Sequence, residues 1–139
     1  ISLGLIADGV HVHPHTAVLL QRLAGNKLVL VSDAISPYGL KDGEYLWDKR
    51  LISSKDGCCR LEDGTLVGVT LPLLECCQRL AKWSGCLGSA IWSATISPRQ
   101  VLLKDKLNIQ EYFVGKSLEK LLRWQTTNVN NQPSWHFAN

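Results

Sequence analysis

His11 and His13 stand two residues apart in Asp8-Gly9-Val10-His11-Val12-His13-Pro14, and His15 follows. On an extended segment, residues i and i+2 point to the same side, so the first two imidazoles could grip one metal ion. A second reading has one histidine touching a substrate while the others face solvent. A third leaves all of them structural. Asp33 closes the run Lys27-Leu28-Val29-Leu30-Val31-Ser32-Asp33-Ala34. A carboxylate there can move protons in general acid–base chemistry, or it can merely cap a turn. Asp8 precedes Gly9, and the pair reads first as a turn. The five cysteines are Cys58, Cys59, Cys76, Cys77 and Cys86. Their odd count and two adjacent pairs argue against a secreted disulfide framework, and no zinc-ligand spacing is present. They read as reduced, mostly buried small hydrophobes of a cytoplasmic protein.

Positioning these groups requires strands that end together. Ser2-Leu3-Gly4-Leu5-Ile6-Ala7-Asp8 is a nearly continuous apolar run, the pattern of a strand buried on both faces. Pro14 then opens a helix whose stripe is Val18, Leu19, Leu20, Leu23 and Ala24, ended by Gly25 or Asn26. Lys27 to Ala34 is a second strand, rich in β-branched residues. Strand, helix, strand over about 35 residues is a βαβ unit with parallel strands. Ligands of α/β folds bind at the carboxyl ends of such strands, so Asp8, His11, His13 and Asp33 should share one rim.

Downstream, Asp42-Gly43, Asp56-Gly57 and Asp63-Gly64 separate short apolar runs. Asp-Gly is a strong hairpin signal, and it predicts a small antiparallel excursion over about residues 40–66. Thr70 is expected to cap a helix carrying Leu73, Leu74, Cys77, Leu80 and Ala81, stopped by Gly85. Leu87–Ala94 and Pro98–Leu103 are expected as two short helices. The polar, Asn-rich stretch from Gln125 to Asn139 is expected to be loosely ordered.

The 139 residues are 45% hydrophobic and 19% charged, which excludes a disordered chain. No apolar run approaches the roughly 18–20 residues of a membrane span. A formal charge of +3 without a Lys/Arg block gives no nucleic-acid footprint. The chain opens on Ile1 and contains no Met, which reads as a processed start or as a piece of a longer chain.

Four segments carry a family resemblance. Gly4 to Pro14 is similar to the IADGxHxHP segment of N-acetylglucosamine-6-phosphate deacetylases, and Val29 to Ala34, with Pro37 and Gly39, to their LVTDA…P.G segment. Asp63 to Gly68 resembles their DGTLAGS turn, and Ser93 to Pro98 their AT.NPA helix junction. The resemblance runs in order from residue 1 to about 105, with a fainter echo over Gly115 to Trp124.

The resemblance implies an α/β fold: the last two βα units of a (β/α)8, or TIM, barrel of an amidohydrolase, with part of a small β-domain, the barrel being incomplete. Residues 1–105 would belong to the barrel portion and 106–139 to a returning β-domain strand and polar tail. By position, Asp33 matches the family's acid/base carboxylate and His11 its substrate-contacting histidine. Leu66, Val67, Gly68 and Val69 match a turn that touches the sugar, and Val69 stands where the family often has Ser. The principal metal ligands, a glutamate and two histidines, are expected upstream of Ile1. The complete enzyme is expected to use a divalent metal, zinc or iron, with none bound by this segment alone. The implied activity is removal of acetate from N-acetylglucosamine 6-phosphate by a cytoplasmic homodimer. The substrate is a small amino-sugar phosphate, and neither nucleic acid nor membrane is a partner. Alternatives are another amidohydrolase, dihydroorotase-like, or an inactive βα interaction module.

Overall fold

A computed structural model describes residues 1–103, 115, 124–129 and 132–137. Strands β1 (Leu3–Ile6) and β2 (Leu28–Val31) pair in parallel, Leu3 opposite Leu28 and Ile6 opposite Val31. Helix α1 (Pro14–Ala24) connects them. Pro14 occupies its first turn, where a missing N–H costs nothing. Gly25, at φ 53°, breaks the helix before a short 3-10 turn over Gly25–Lys27.

The antiparallel segment is a four-stranded meander: β3 (Gly43–Trp47), β4 (Arg50–Lys55), β5 (Cys58–Leu61) and β6 (Leu66–Val69), paired in that order. Asp56 and Gly57 form the β4–β5 turn with φ of 52° and 85°, the left-handed pair that a tight hairpin needs. The β3–β4 turn departs from expectation. It is made by Asp48 and Lys49, both at positive φ, whereas Gly43 lies inside β3 opposite Ser54. Along β4 the pleat turns Ile52 and Ser54 inward and leaves their neighbours exposed.

Helices α2 (Leu73–Ser84) and α3 (Leu87–Leu102) pack on each other and on β2. Thr70 does not cap α2; Pro72 holds that position, and the Thr70 amide instead donates to the Gly57 carbonyl at 2.8 Å. Pro72 can do so because its ring presets φ at −66°. The expected break at Pro98 is also absent, and α3 runs through it. Proline removes one helical donor, yet Ser93, Ile96 and Ser97 are buried on the same face, and the Ser97 hydroxyl donates to the Asn26 carbonyl at 2.7 Å. Tertiary packing here outweighs a local breaker.

One apolar cluster joins these layers. Leu5, Leu28 and Leu30 from the strands meet Ala17 of α1 and Cys76, Cys77 and Leu80 of α2. Burial pushes the Cys76 and Cys77 thiols up to about 11, so both behave as small hydrophobes.

The tail also differs from expectation. Trp124–Val129 (β7) and Gln132–Phe137 (β8) pair as an antiparallel hairpin. Threonines and aromatics in Trp124-Gln125-Thr126-Thr127 and Ser134-Trp135-His136-Phe137 favour strands, a signal hidden by the overall polarity. The rest of the expected returning strand, apart from Gly115 and Trp124, lies outside the described residues. Among the described residues, no helix is long and apolar enough to cross a membrane.

Candidate functional site at the end of the parallel strands

Asp8 lies two residues beyond β1 and is 1% exposed. Gly9, at φ 80°, turns the chain back so that one Asp8 oxygen, Oδ1, accepts from the amides of Val10 (3.0 Å) and His11 (2.9 Å). The other, Oδ2, meets the His11 ring Nδ1 at 2.7 Å. Burial alone would raise this carboxyl. The bonds from the His11 ring and from the two amides outweigh it and hold Asp8 below the ordinary carboxylate value.

His11 Nε2 points the other way, 3.7 Å from Oδ2 of Asp33. That is too long for a hydrogen bond and leaves the two groups facing each other beside solvent. The Asp33 side chain is 46% exposed, while the ring it faces is 20% exposed. Asp33 sits at φ 55°, a left-handed conformation uncommon for any residue but glycine and least unfavourable for Asp and Asn. Strain of this kind persists only where the surroundings enforce it.

The enforcement comes from the meander. The Val69 amide donates to the Asp33 carbonyl at 2.9 Å, and the Ile35 amide donates to the Val69 carbonyl at 3.1 Å. A side chain on Gly68 would come within 2.7 Å of Ile35 Cγ2 and 3.1 Å of the Asp33 carbonyl oxygen. Glycine therefore allows β6 to lie directly against the residues that follow β2. Val69 is fully buried, and Leu66 and Val67 are half-buried. In this chain the main-chain groups of Val69 serve to fix Asp33.

The rim thus brings together Asp8, His11 and Asp33, drawn from two strand ends. His13 and His15 do not join them. Both are exposed, and the His13 ring caps α1 by accepting from the His15 amide at 3.3 Å. Among the described residues, no three His, Cys, Asp or Glu side chains are placed to hold a metal ion. The His13 ring turns to the start of α1, while the His11 ring lies between Asp8 and Asp33.

Two participants were not legible as such. Asp8 reads as a turn residue, and it does make that turn, but its second oxygen is committed to the histidine. The sequence signal is a three-residue Asp–His spacing across a glycine. Arg79, on α2, donates to the Asp8 carbonyl and is itself held by Glu75 Oε1, from Nη2 at 2.6 Å and Nε at 3.2 Å. It is 71 residues away in sequence, and no local pattern marks it. A groove of about 540 Å³, lined by Val10, Leu51, Ser53, Cys58, Arg60 and Leu61 among others, opens on the meander and includes neither His11 nor Asp33.

No family model matches the chain. It is 31% identical over 99 residues to N-acetylglucosamine-6-phosphate deacetylase of Vibrio furnissii, a match covering 70% of this chain and 25% of that protein. The crystal structure of N-acetylglucosamine-6-phosphate deacetylase from Thermotoga maritima superposes with a TM-score of 0.69 at 36% identity, over 76% of this chain and 30% of that one. A variant of the Mycobacterium smegmatis deacetylase in complex with N-acetyl-D-glucosamine-6-phosphate superposes at 0.68 and 25% identity, over 73% and 29%. Relatives and structures agree with the resemblance drawn from the sequence. The chain is similar to one part of these deacetylases, spanning about a quarter of the curated relative.

Proposed function

We propose that this chain supplies the acid–base rim of an enzyme that hydrolyses the N-acetyl group of N-acetylglucosamine 6-phosphate, giving glucosamine 6-phosphate and acetate. The observation that carries the reading is the convergence of Asp33 and His11 at the ends of two parallel strands, in a chain whose relatives are named for that reaction. The exposed Asp33 carboxylate takes a proton from a water as its oxygen bonds to the amide carbon. It returns the proton to the amine nitrogen as the C–N bond breaks, so that acetate and the free amine leave and the carboxylate is regenerated. His11 Nε2, facing the same space, contacts the substrate.

In this reading β1 and β2 are the last two strands of a (β/α)8 barrel, and the meander is part of a small β-domain beside it. Asp33 and His11 are two donors, short of a cage. In the same reading, a divalent metal, zinc or iron, would be held in the complete protein by a glutamate and two histidines upstream, as the family resemblance implies, and no step above is routed through it. A cytoplasmic homodimer is part of the same reading and rests on kinship alone.

The test is acetate release from N-acetylglucosamine 6-phosphate by the complete protein that carries this segment. Equal yields of acetate and free amine are expected, with none from the 139 residues alone. Release no faster than the blank from the complete protein would overturn the reading, and faster release from the 4-epimeric sugar would correct the substrate.

A further inference from the structure

We infer that Asp8 is a positioning residue that fixes the tautomer of His11, keeping the proton on Nδ1 and presenting Nε2 to the space it shares with Asp33. The assignment deepens the reaction proposed above and rests on it for its catalytic consequence. The tautomer itself is a property of this chain whatever it catalyses.

The geometry is one-sided. Asp8 Oδ2 lies 2.7 Å from Nδ1, and an ionised carboxylate can only accept, so Nδ1 must carry the proton. Asp33 lies 3.7 Å from Nε2, too far to claim it. In the neutral ring Nε2 is then a bare acceptor, open to a substrate N–H or O–H. If the ring gains a proton from the reacting groups, Nε2–H becomes a donor aimed at the same place.

Asp8 is unable to drift. Its Oδ1 is occupied by the Val10 and His11 amides, and the Arg79 guanidinium grips its carbonyl from α2. Glu75 holds that guanidinium in turn. The sequence Asp8-Gly9-Val10-His11 thus does two jobs with one side chain: one oxygen builds the turn and the other orients the ring.

Asp8→Asn separates these jobs. Its amide oxygen can still accept from the Val10 and His11 amides, so the turn survives. Its NH2 group would then face Nδ1 as a donor and pull the ring into the opposite tautomer, with the proton on Nε2. Asp33→Asn should leave the tautomer alone.

The experiment is long-range 1H–15N correlation of the histidine rings in the complete protein, at a pH where the ring is neutral. In the wild type, His11 Nδ1 should resonate as the protonated nitrogen and Nε2 as the unprotonated one. Asp8→Asn should exchange the two, and Asp33→Asn should not. In parallel, Asp8→Asn should lower kcat on the order of 100-fold with KM little changed. A wild-type ring protonated on Nε2, or an Asp8→Asn ring unchanged, overturns the inference even if the enzyme deacetylates. A correct tautomer in a protein that releases no acetate would leave the positioning intact and sink the reaction instead. Asp8→Ala, which loses turn and orienter together, serves as the control: it should lower the urea midpoint clearly further than Asp8→Asn does. An equal fall in both variants would mean that Asp8 acts through stability and would overturn the positioning role.

Discussion

Asp8 and Asp33, at the ends of the parallel strands, both turn toward one histidine. Two carboxylates of the antiparallel meander, Asp42 and Asp63, are spent on backbone. Asp63 Oδ1 accepts from the Thr65 amide at 2.9 Å, and Asp42 Oδ2 accepts from the Asp56 amide at 3.1 Å. Residue type is the same in both regions; the difference is what the strand ends converge on. Hairpins return immediately, so these carboxylates meet backbone of the same meander. Parallel strands must be joined by a crossover, which brings residues distant in sequence to one edge. The meander still contributes to the site, but through main chain, by holding Asp33 in its left-handed conformation.

The contrast can be broken by substitutions on either side. Asp33→Asn should have the largest effect, lowering kcat for acetate release about 10²- to 10⁴-fold with the fold intact, because Asn tolerates the same φ. Retained turnover would remove the carboxylate from the reaction. Ile52→Ala, in the fully buried face of β4, should do the reverse. It should cost about 2–5 kcal/mol in urea unfolding, with kcat of the remaining folded protein little changed.

Gly68→Ala lies on the boundary between the two regions. The added carbon meets Ile35 and the Asp33 carbonyl, so a loss of about 1–3 kcal/mol is expected, together with reduced turnover as Asp33 is displaced. A stable, fully active Gly68→Ala protein would uncouple meander from rim. The smallest effect is acidic. The folded Asp8 carboxyl titrates below its ordinary value of 3.8, so the unfolded chain binds the proton first. The stability Asp8 contributes is complete above that value and is lost as pH falls through the folded one. Urea midpoints between pH 6 and 3 should therefore drop more steeply for the wild type than for Asp8→Asn.

Much of this division is written locally. Apolar runs ending in Asp8 and Asp33, with Pro14 and Gly25 bracketing a helix, are enough to place the βαβ unit and its rim. Asp-Gly pairs announce the meander, though Asp48-Lys49 makes a left-handed turn without glycine. What stays hidden is long-range. Arg79 reaches Asp8 from α2, and Val69 reaches Asp33 across 36 positions; neither distance leaves a periodic trace. Pro98 misleads for the same reason, since the contacts that keep α3 continuous involve Asn26, far from it in sequence. Leu66 to Val69 appear by resemblance as a sugar-contacting turn, whereas the structure also gives Gly68 and Val69 a backbone duty toward Asp33.

The most direct measurement of the central claim is where the substrate binds. N-acetylglucosamine 6-phosphate titrated into the uniformly 15N-labelled complete protein should shift His11 Nε2 saturably while His13 and His15 stay in place. A saturable shift of residues lining the meander groove, such as Leu51 and Arg60, with His11 unmoved, would contradict the assignment of the site to the parallel rim.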